Sequence, residues 1–493
     1  MNNMKRFLLV IVYLLLFLVM CAAETVTISL DEAISRARRQ SVSAAVALNE
    51  LRQAYWEYRT FRAELLPEVS FSAKIPGYYK QYSSYQNENG EFGFVRNNYM
   101  NLSGTLSLSQ NIWATGGTLS LNTSLDYLRQ FSGNSYNRFM SLPVAISLNQ
   151  PIFGVNTVKW DRKIEPVRYT EAKAQFLSAT EEVAMTTINY FFNLLSAREN
   201  VSIARQNLEN ATRLHEVAKV KREMGQISQN DLLQMELNEL NARSTLTSAE
   251  SDMKSHMFRL RAFLDYGEDV ELEPSIPESI PLVDITFADA LDKALANNKF
   301  AKNLRRRQLE ADYEVAKAKG DMRQINLYAQ VGYTGVGNEV GSSYRNLKDN
   351  QVVEIGITIP ILDWGKRRGK VKVAQSNREV VESNLRLEAM NFNQDIFILV
   401  ERFNNQQEQL KIAVRADEIA QKRYETNVET YLIGKISTLD LNDSQVKKDE
   451  SRQEYFQELY YYWYYFYQLR SLTLWDYQAD TPLTADFEQI LRN

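Results

Sequence analysis

Proline and glycine are placed so sparsely and so regularly here that they fix the kind of architecture the chain can adopt. No proline occurs between Pro166 and Pro274, and none between Pro360 and Pro482. Inside the first interval the only glycines are Gly225 and Gly267; between Gly369 and Pro482 the only one is Gly434. Each interval therefore reads as a long helical tract broken near its middle by one glycine, the residue that tolerates the left-handed turn ending a helix. The two tracts are in register. A shift of 209 takes Pro151 to Pro360, Gly225 to Gly434, Ser228 to Ser437, Asp231 to Asp440 and Leu260-Arg261 to Leu469-Arg470. A constant shift over so long a stretch identifies an internal duplication.

The helices must be long. Pro166 to Met224 spans 59 residues, about 90 Å at 1.5 Å per residue. Ala197, Ala204, Ala211 and Ala218 recur every seven residues, and Ala413 and Ala420 continue the pattern in the second copy. A seven-residue repeat of small apolar residues predicts close packing in a left-handed supercoil; an ordinary amphipathic helix is the plainer reading. Shorter tracts follow each turn glycine, Ser228–Asp265 and Ser437–Leu474, and others open each half, Asp31–Leu65 and Ala288–Lys319. The openings correspond, with Ile28-Ser29-Leu30-Asp31-Glu32-Ala33 matching Ile285-Thr286-Phe287-Ala288-Asp289-Ala290. Each half thus reads as one long helix flanked by two of half its length.

Strands interrupt the helices. Val69–Ala73, Leu106–Ser109, Leu119–Asn122, Val144–Asn149, Leu327–Tyr333 and Val353–Ile359 alternate apolar with small or polar residues. Period-two alternation makes one face apolar and the other polar. A soluble sheet on helices and a membrane barrel share this pattern, but the Ser, Thr and Asn of the polar face suit a watery lumen. One chain offers four to six such strands, fewer than the about eight a membrane barrel needs. An open edge cannot lie in lipid, so a membrane role requires several chains to share one barrel. Tyr78–Asn98 and Gln130–Met140, rich in Tyr, Asn and Ser, read as surface loops.

The N-terminus reads as an export signal: Lys5-Arg6, then the apolar run Phe7–Met20, then Cys21-Ala22-Ala23 before Glu24. Cleavage after Ala23 leaves 470 residues with a formal charge of -6. Lipidation at Cys21 and a retained anchor are the alternatives. A near-neutral, slightly acidic chain does not suit nucleic acid as a partner. With two histidines and one cysteine, a Cys/His metal site, a disulfide framework and a Cys–His nucleophile are all disfavoured. The chain has no Gly-x-Ser-x-Gly, His-Glu-x-x-His or Gly-Lys-Ser/Thr phosphate motif. Gly335–Gly341 has the wrong spacing for a dinucleotide loop. The sequence therefore predicts no enzyme, no cofactor and no metal.

Taken together, the export signal, the opening Ile-Ser-Leu-Asp-Glu-Ala, Leu66-Pro67 before the first strand, Gln150-Pro151-Ile152-Phe153 after a later one, Ile359-Pro360-Ile361-Leu362-Asp363-Trp364-Gly365 and the turn Tyr431–Asp440 resemble the TolC-type outer membrane efflux proteins. The resemblance covers nearly the whole mature chain. It implies a mainly α fold with a membrane β-barrel portion: duplicated halves, long coiled-coil helical hairpins, and a trimeric barrel-tunnel of twelve strands, four per chain. On that basis residues 1–23 are the signal peptide and 24–284 the first repeat, with strands at about 66–152 and a helical hairpin at about 158–265. Residues 285–493 are the second, with strands at about 325–362, a hairpin at about 367–474 and a C-terminal equatorial segment. It implies an exit duct in the outer membrane, extending into the periplasm. The duct exports small molecules or proteins passively, as a homotrimer with a periplasmic adaptor and an inner membrane transporter, in efflux or type I secretion. The runner-up reading is a soluble periplasmic coiled-coil adaptor or scaffold.

The resemblance also assigns sites. Gly225, Ser228, Gly434 and Ser437 fall at the helix tips where an adaptor docks, although each glycine also serves simply to permit the turn. Asp440 and Asp443, three apart and so on one helix face, match positions that ring the entrance with carboxylates. Opposition to the positive end of the helix is the local alternative. Tyr431 is assigned a hydrogen bond across the closed entrance. There are departures. Residues 106–151 hold three strands where the family pattern has one, an extra hairpin expected near the outer surface. Ile436 stands where some members carry a locking arginine, and Gln324-Ile325 where the first copy has Leu66-Pro67. The aromatic run Tyr460–Tyr467 covers every face of its helix, which predicts burial between neighbours or between chains.

Overall fold

The computed structural model describes residues 24–492, apart from 132–134, 278–279, 282, 323–324, 346, 358–361, 433–434 and 437. Cys21, Gly434 and Ser437 lie outside the described residues.

The duplication is visible in the element lengths. Helices α1 (Leu30–Gln40) and α2 (Val42–Glu64) open the first half; α5 (Phe287–Asn297) and α6 (Lys299–Gly320) open the second. Each predicted opening tract is in fact two helices, divided at Ser41 and at Asn298. Both dividing residues are extended, and each side chain accepts a backbone N–H of the next helix: Ser41 Oγ from Ala44 at 3.1 Å, Asn298 Oδ1 from Phe300 at 2.8 Å. The long helices α3 (Thr157–Glu223) and α8 (Lys366–Leu432) have 67 residues each, about 100 Å. Their half-length partners are α4 (Gln229–Phe263) and α9 (Thr438–Thr473), 35 and 36 residues. One boundary is corrected. Pro166 does not open its helix but lies inside α3. The backbone bond lost there is offset by packing of the preceding turns, where Ile164 is buried and Trp160 meets Tyr313 at 6.0 Å.

The chain divides into two compact units, each built from both halves. The first takes residues up to 52, 172–301 and 389–493. Its core is aromatic: Phe191, Phe192, Phe403, Phe456, Tyr462 and Phe466 are fully buried. Each such side chain stabilises by roughly 1.5–3 kcal/mol on leaving water. Tyr462, Trp463, Phe466 and Tyr467 bury one side of the aromatic run, while Tyr460, Tyr461, Tyr464 and Tyr465 are only half-buried; within one chain the run is thus buried on one flank, not all round. Beside this core, β1 (Glu24–Ile28) pairs in parallel with β6 (Val270–Pro274), closing the start of the first half on its end. Ala197, Ala204, Ala218 and Ala413 of the heptad pattern are buried. Glu181, 3 % exposed, is held by two guanidinium groups, Arg38 at 2.5 Å and Arg470 at 3.2 Å, and Arg470 also reaches Asp476 at 2.8 Å.

The second unit, residues 53–171 and 302–388, carries one antiparallel sheet. Its strands are β2 (Glu68–Gln86), β3 (Phe92–Ile112), β4 (Gly117–Gln130), β5 (Tyr136–Ile152), β7 (Ile325–Gly337) and β8 (Lys348–Ile357), paired in that order; one helical turn, α7 (Val340–Ser343), links the last two. The chain therefore supplies six strands among the described residues, not four. The register sorts side chains onto two faces. Val69, Leu108, Leu121, Ile146 and Val331 lie in one row across five strands. The next row is Ser70, Ser107, Asn122 and Ala145. Polar neighbours on that second face bond to each other, Ser109 to Ser120 at 3.0 Å and Asn122 to Ser147 at 3.1 Å. On the first face, Phe71 is 70 % exposed and Val353 70 %.

Tyr78–Asn98 is corrected from loop to strand. Residues 77–86 pair with 92–101, and only 87–91 turn. Likewise Tyr136–Met140 belongs to β5. The Tyr and Asn that suggested a loop instead stack and pair across the ladder, Tyr79 on Tyr99 at 4.9 Å.

Candidate functional site

The first hairpin tip follows from its turn chemistry. Helix α3 ends at Glu223, and Gly225 takes φ +70° with open space around the position a Cβ would fill. Gln226 N donates to Lys221 O at 2.8 Å, and Gly225 N to Arg222 O at 2.9 Å, so the last carbonyls of the helix are satisfied. Ser228 then caps α4. Its Oγ accepts from Asp231 N at 3.1 Å, and Asp231 Oδ2 accepts from Ser228 N at 3.0 Å. Ser228 Oγ also donates to Asp231 Oδ2 at 2.7 Å; this side-chain bond first, and the bond from Ser228 N second, hold the Asp231 carboxyl below its ordinary pKa. Met224, 66 % exposed, and Leu233, 52 % exposed, leave apolar surface beside the turn.

At the second tip one bond of this turn recurs among the described residues. Lys435 N donates to Thr430 O at 3.1 Å, the counterpart of the Gln226–Lys221 bond at the same shift of 209. Tyr431 lies in the last turn of α8. Asp440, the counterpart of Asp231, sits in the first turn of α9 and is exposed, with its carbonyl accepting from Asn427 Nδ2 at 3.4 Å. Asp443 is exposed one turn on. Its carboxylate is not isolated: Arg423 Nη2 donates to Asp443 Oδ2 at 2.7 Å across the hairpin, with both side chains about half exposed. Sequence reasoning missed Arg423. The signal was available, because residues 423 and 443 stand nearly equidistant from the turn at Gly434 and so face each other in an antiparallel hairpin.

Polar ties also missed in the sequence hold the hairpins together. His215, buried, meets Glu239 at 2.7 Å, and Arg243 meets the other oxygen at 3.0 Å. Arg452 bridges Glu199 at 2.8 Å and Asp417 at 2.9 Å, linking α9 to both long helices. Asn207 donates to Asp449 at 2.7 Å, and Asn210 to Tyr424 at 2.8 Å. Among the described residues no His, Cys, Asp and Glu cluster has the arrangement of a metal site, and no helix is long and apolar enough to cross a membrane.

Aromatic residues cluster towards both ends of the sheet. At one end Trp113, Phe153 and Trp364 are 56 %, 69 % and 89 % exposed. At the other, Tyr127 packs on Phe139 at 4.9 Å and Tyr78 on Phe131 at 6.1 Å. Between these aromatic ends lie Thr118–Tyr127 of β4, a stretch that matches the about 9–11 residues of a tilted membrane strand, while β4 as a whole spans Gly117–Gln130. Aromatic girdles flanking an apolar outer band mark outer-membrane barrels.

A sequence model for "Outer membrane efflux protein" matches residues 115–264 and 290–472. The chain belongs to the outer membrane efflux protein family. A search of curated proteins by sequence finds no match. Solved structures agree in fold with this efflux protein. The Campylobacter jejuni CmeC outer membrane channel is 14% identical, with a TM-score of 0.66 over 94% of this chain and 88% of that one. The outer membrane protein VceC of Vibrio cholerae is 14% identical, with a TM-score of 0.62 over 90% and 95%. The MtrE outer membrane channel of Neisseria gonorrhoeae, in its open state, is 13% identical, with a TM-score of 0.57 over 90% and 88%. The efflux protein has duplicated halves and shares its fold with these outer membrane channels. The soluble-adaptor reading finds no support in these comparisons.

Proposed function

We propose that three copies of this efflux protein close one passive exit duct, fed by an inner membrane transporter through a periplasmic adaptor. The observation that carries the reading is the sheet: its apolar face is exposed from β2 to β8, and both its edges are unpaired among the described residues. Lipid accepts the apolar face, but not an open edge, whose N–H and C=O groups cost several kcal/mol each when unpaired. Neighbouring copies supply the missing partners.

In this reading the turns at Gly225–Ser228 and Gly434–Ser437 meet the adaptor. Asp440 and Asp443 from three chains place six carboxylates around the periplasmic entrance, with Tyr431 close by. Such a ring admits cations and raises the barrier to anions. Arg423 moderates it by pairing with Asp443. The signal segment 1–23 directs export, and Cys21 is either removed with it or lipidated. No covalent chemistry is required of the duct, which makes it a conduit and not an enzyme. Extraction of membranes followed by light scattering tests the reading: detergent-dependent solubility and a mass of three chains are expected, and a single chain stable in buffer alone contradicts it.

A further inference from the structure

The sheet carries more strands than the matched family segment accounts for. The match begins at residue 115, at the turn between β3 and β4; β4, β5, β7 and β8 fall inside it, while β2 and β3 precede it. The match leaves out α1 and α2 as well, while α6 and most of α5 fall within its second segment, so the division is made by the duplication. The openings of the two halves are related by a shift of 257, Ile28 to Ile285, whereas everything from Pro151 onward is related by 209. The first half therefore holds 48 residues that the second lacks, and they lie between its opening and Pro151. That is the length of β2, β3 and the turn to Gly116. An inserted hairpin could sit at one end of the sheet as decoration, as the sequence suggested. It does not: β3 pairs with β4 over Tyr99–Ile112, and the two-face alternation carries from β4 into β3 and along β2 as far as a bulge between Lys74 and Gly77, where the register shifts by one residue.

We propose that all six strands of each chain cross the outer membrane, so that the three-chain duct closes an eighteen-stranded wall in place of twelve. The inference rests on the trimer reading for its count of chains, and on this sheet alone for its count of strands. Strand direction favours it. The six strands alternate, so β2 and β8 run oppositely, and β8 of one chain can add to β2 of the next as an antiparallel neighbour. The faces also continue: Phe71 on β2 and Val353 on β8 both belong to the apolar side. At ~4.8 Å between strands and ~40° of tilt, eighteen strands give a barrel ~36 Å across at the backbone, against ~24 Å for twelve. Side chains cannot fill a barrel of the larger size, so it leaves an aqueous passage.

The topology separates the proposal from its alternative. With six crossing strands, the β2–β3 and β4–β5 turns face the outside, and the β3–β4 turn at 113–116 faces the periplasm. Single variants Glu88→Cys, Ser135→Cys and Thr115→Cys of the full-length chain are labelled on intact cells with a membrane-impermeant maleimide, against the unaltered chain as background. Glu88→Cys and Ser135→Cys should label, and Thr115→Cys should stay at background until the outer membrane is permeabilised. Ala114→Cys serves as a second reporter of the same turn. Glu88→Cys at background on intact cells while Ser135→Cys labels, or labelling of Thr115→Cys and Ala114→Cys there, overturns the six-strand wall and leaves the trimer untouched. A purified mass other than three chains overturns the count of eighteen through the trimer reading, while the labelling still decides how many strands each chain contributes.

Discussion

At the scale of single residues the tip proposed as the entrance carries a balance of charges rather than bare acids. Asp443 is already paired within its own chain. Asp440→Ala with Asp443→Ala is expected to weaken cation selectivity and cation block in single-channel recording; unchanged selectivity rejects the ring. Arg423→Ala is expected to act oppositely, since it releases the Asp443 carboxylate. At the first tip, Ser228→Ala removes a helix cap. A cap costs about 1 kcal/mol, so amide exchange in the first turn of α4 should rise about fivefold. The partner acid sets the pH range. Asp231 has a lowered pKa in the folded chain, so its share of the cap is complete above the ordinary value of 3.8 and is lost as pH falls through the folded value. Exchange at this turn should therefore show no cap-dependent change between neutral pH and pH about 5, and an Asp231→Asn variant should lose the acid-induced loosening. The capping residues were legible in the sequence because local spacing defines them. Arg423 and the Glu239 partner of His215 were not, because their contacts depend on how two helices face each other.

At the scale of elements, the duplication did most of the structural work. It placed two long helices of equal length and their shorter partners, because glycine and proline act through local backbone geometry. It misplaced the start of α3, since a proline within a helix can be outweighed by neighbours such as Ile164 and Trp160. It also missed the division at Ser41 and Asn298, where no glycine or proline marks the break and a side chain caps the next helix instead. Two tests belong here. Glu181→Ala takes one of two carboxylates from Arg470, 7 % exposed, which keeps Asp476 at 2.8 Å; the loss of a buried charge partner should appear as a fall in the thermal unfolding midpoint, with Glu181→Gln falling less. Ala204→Leu forces bulk into the close-packed face where Ala204 is 3 % exposed. Overpacking of this kind costs about 1–3 kcal/mol and should loosen the hairpin in hydrogen exchange without altering the sheet.

At the scale of the whole molecule, the argument turns on solvent. A sheet with one apolar face, one polar face and two open edges is stable in neither water nor lipid as a single copy. Period-two alternation was readable in the sequence, and so was the need for partner chains. The number of strands was readable only as four to six, because Tyr- and Asn-rich segments pair as ladders as readily as they form loops. The most direct measurement is current through a planar bilayer after addition of the purified mature chain from detergent. Discrete, cation-preferring conductance steps from an oligomer are the expected result. A protein that remains a dispersed single chain in plain buffer and leaves the bilayer electrically silent contradicts the account.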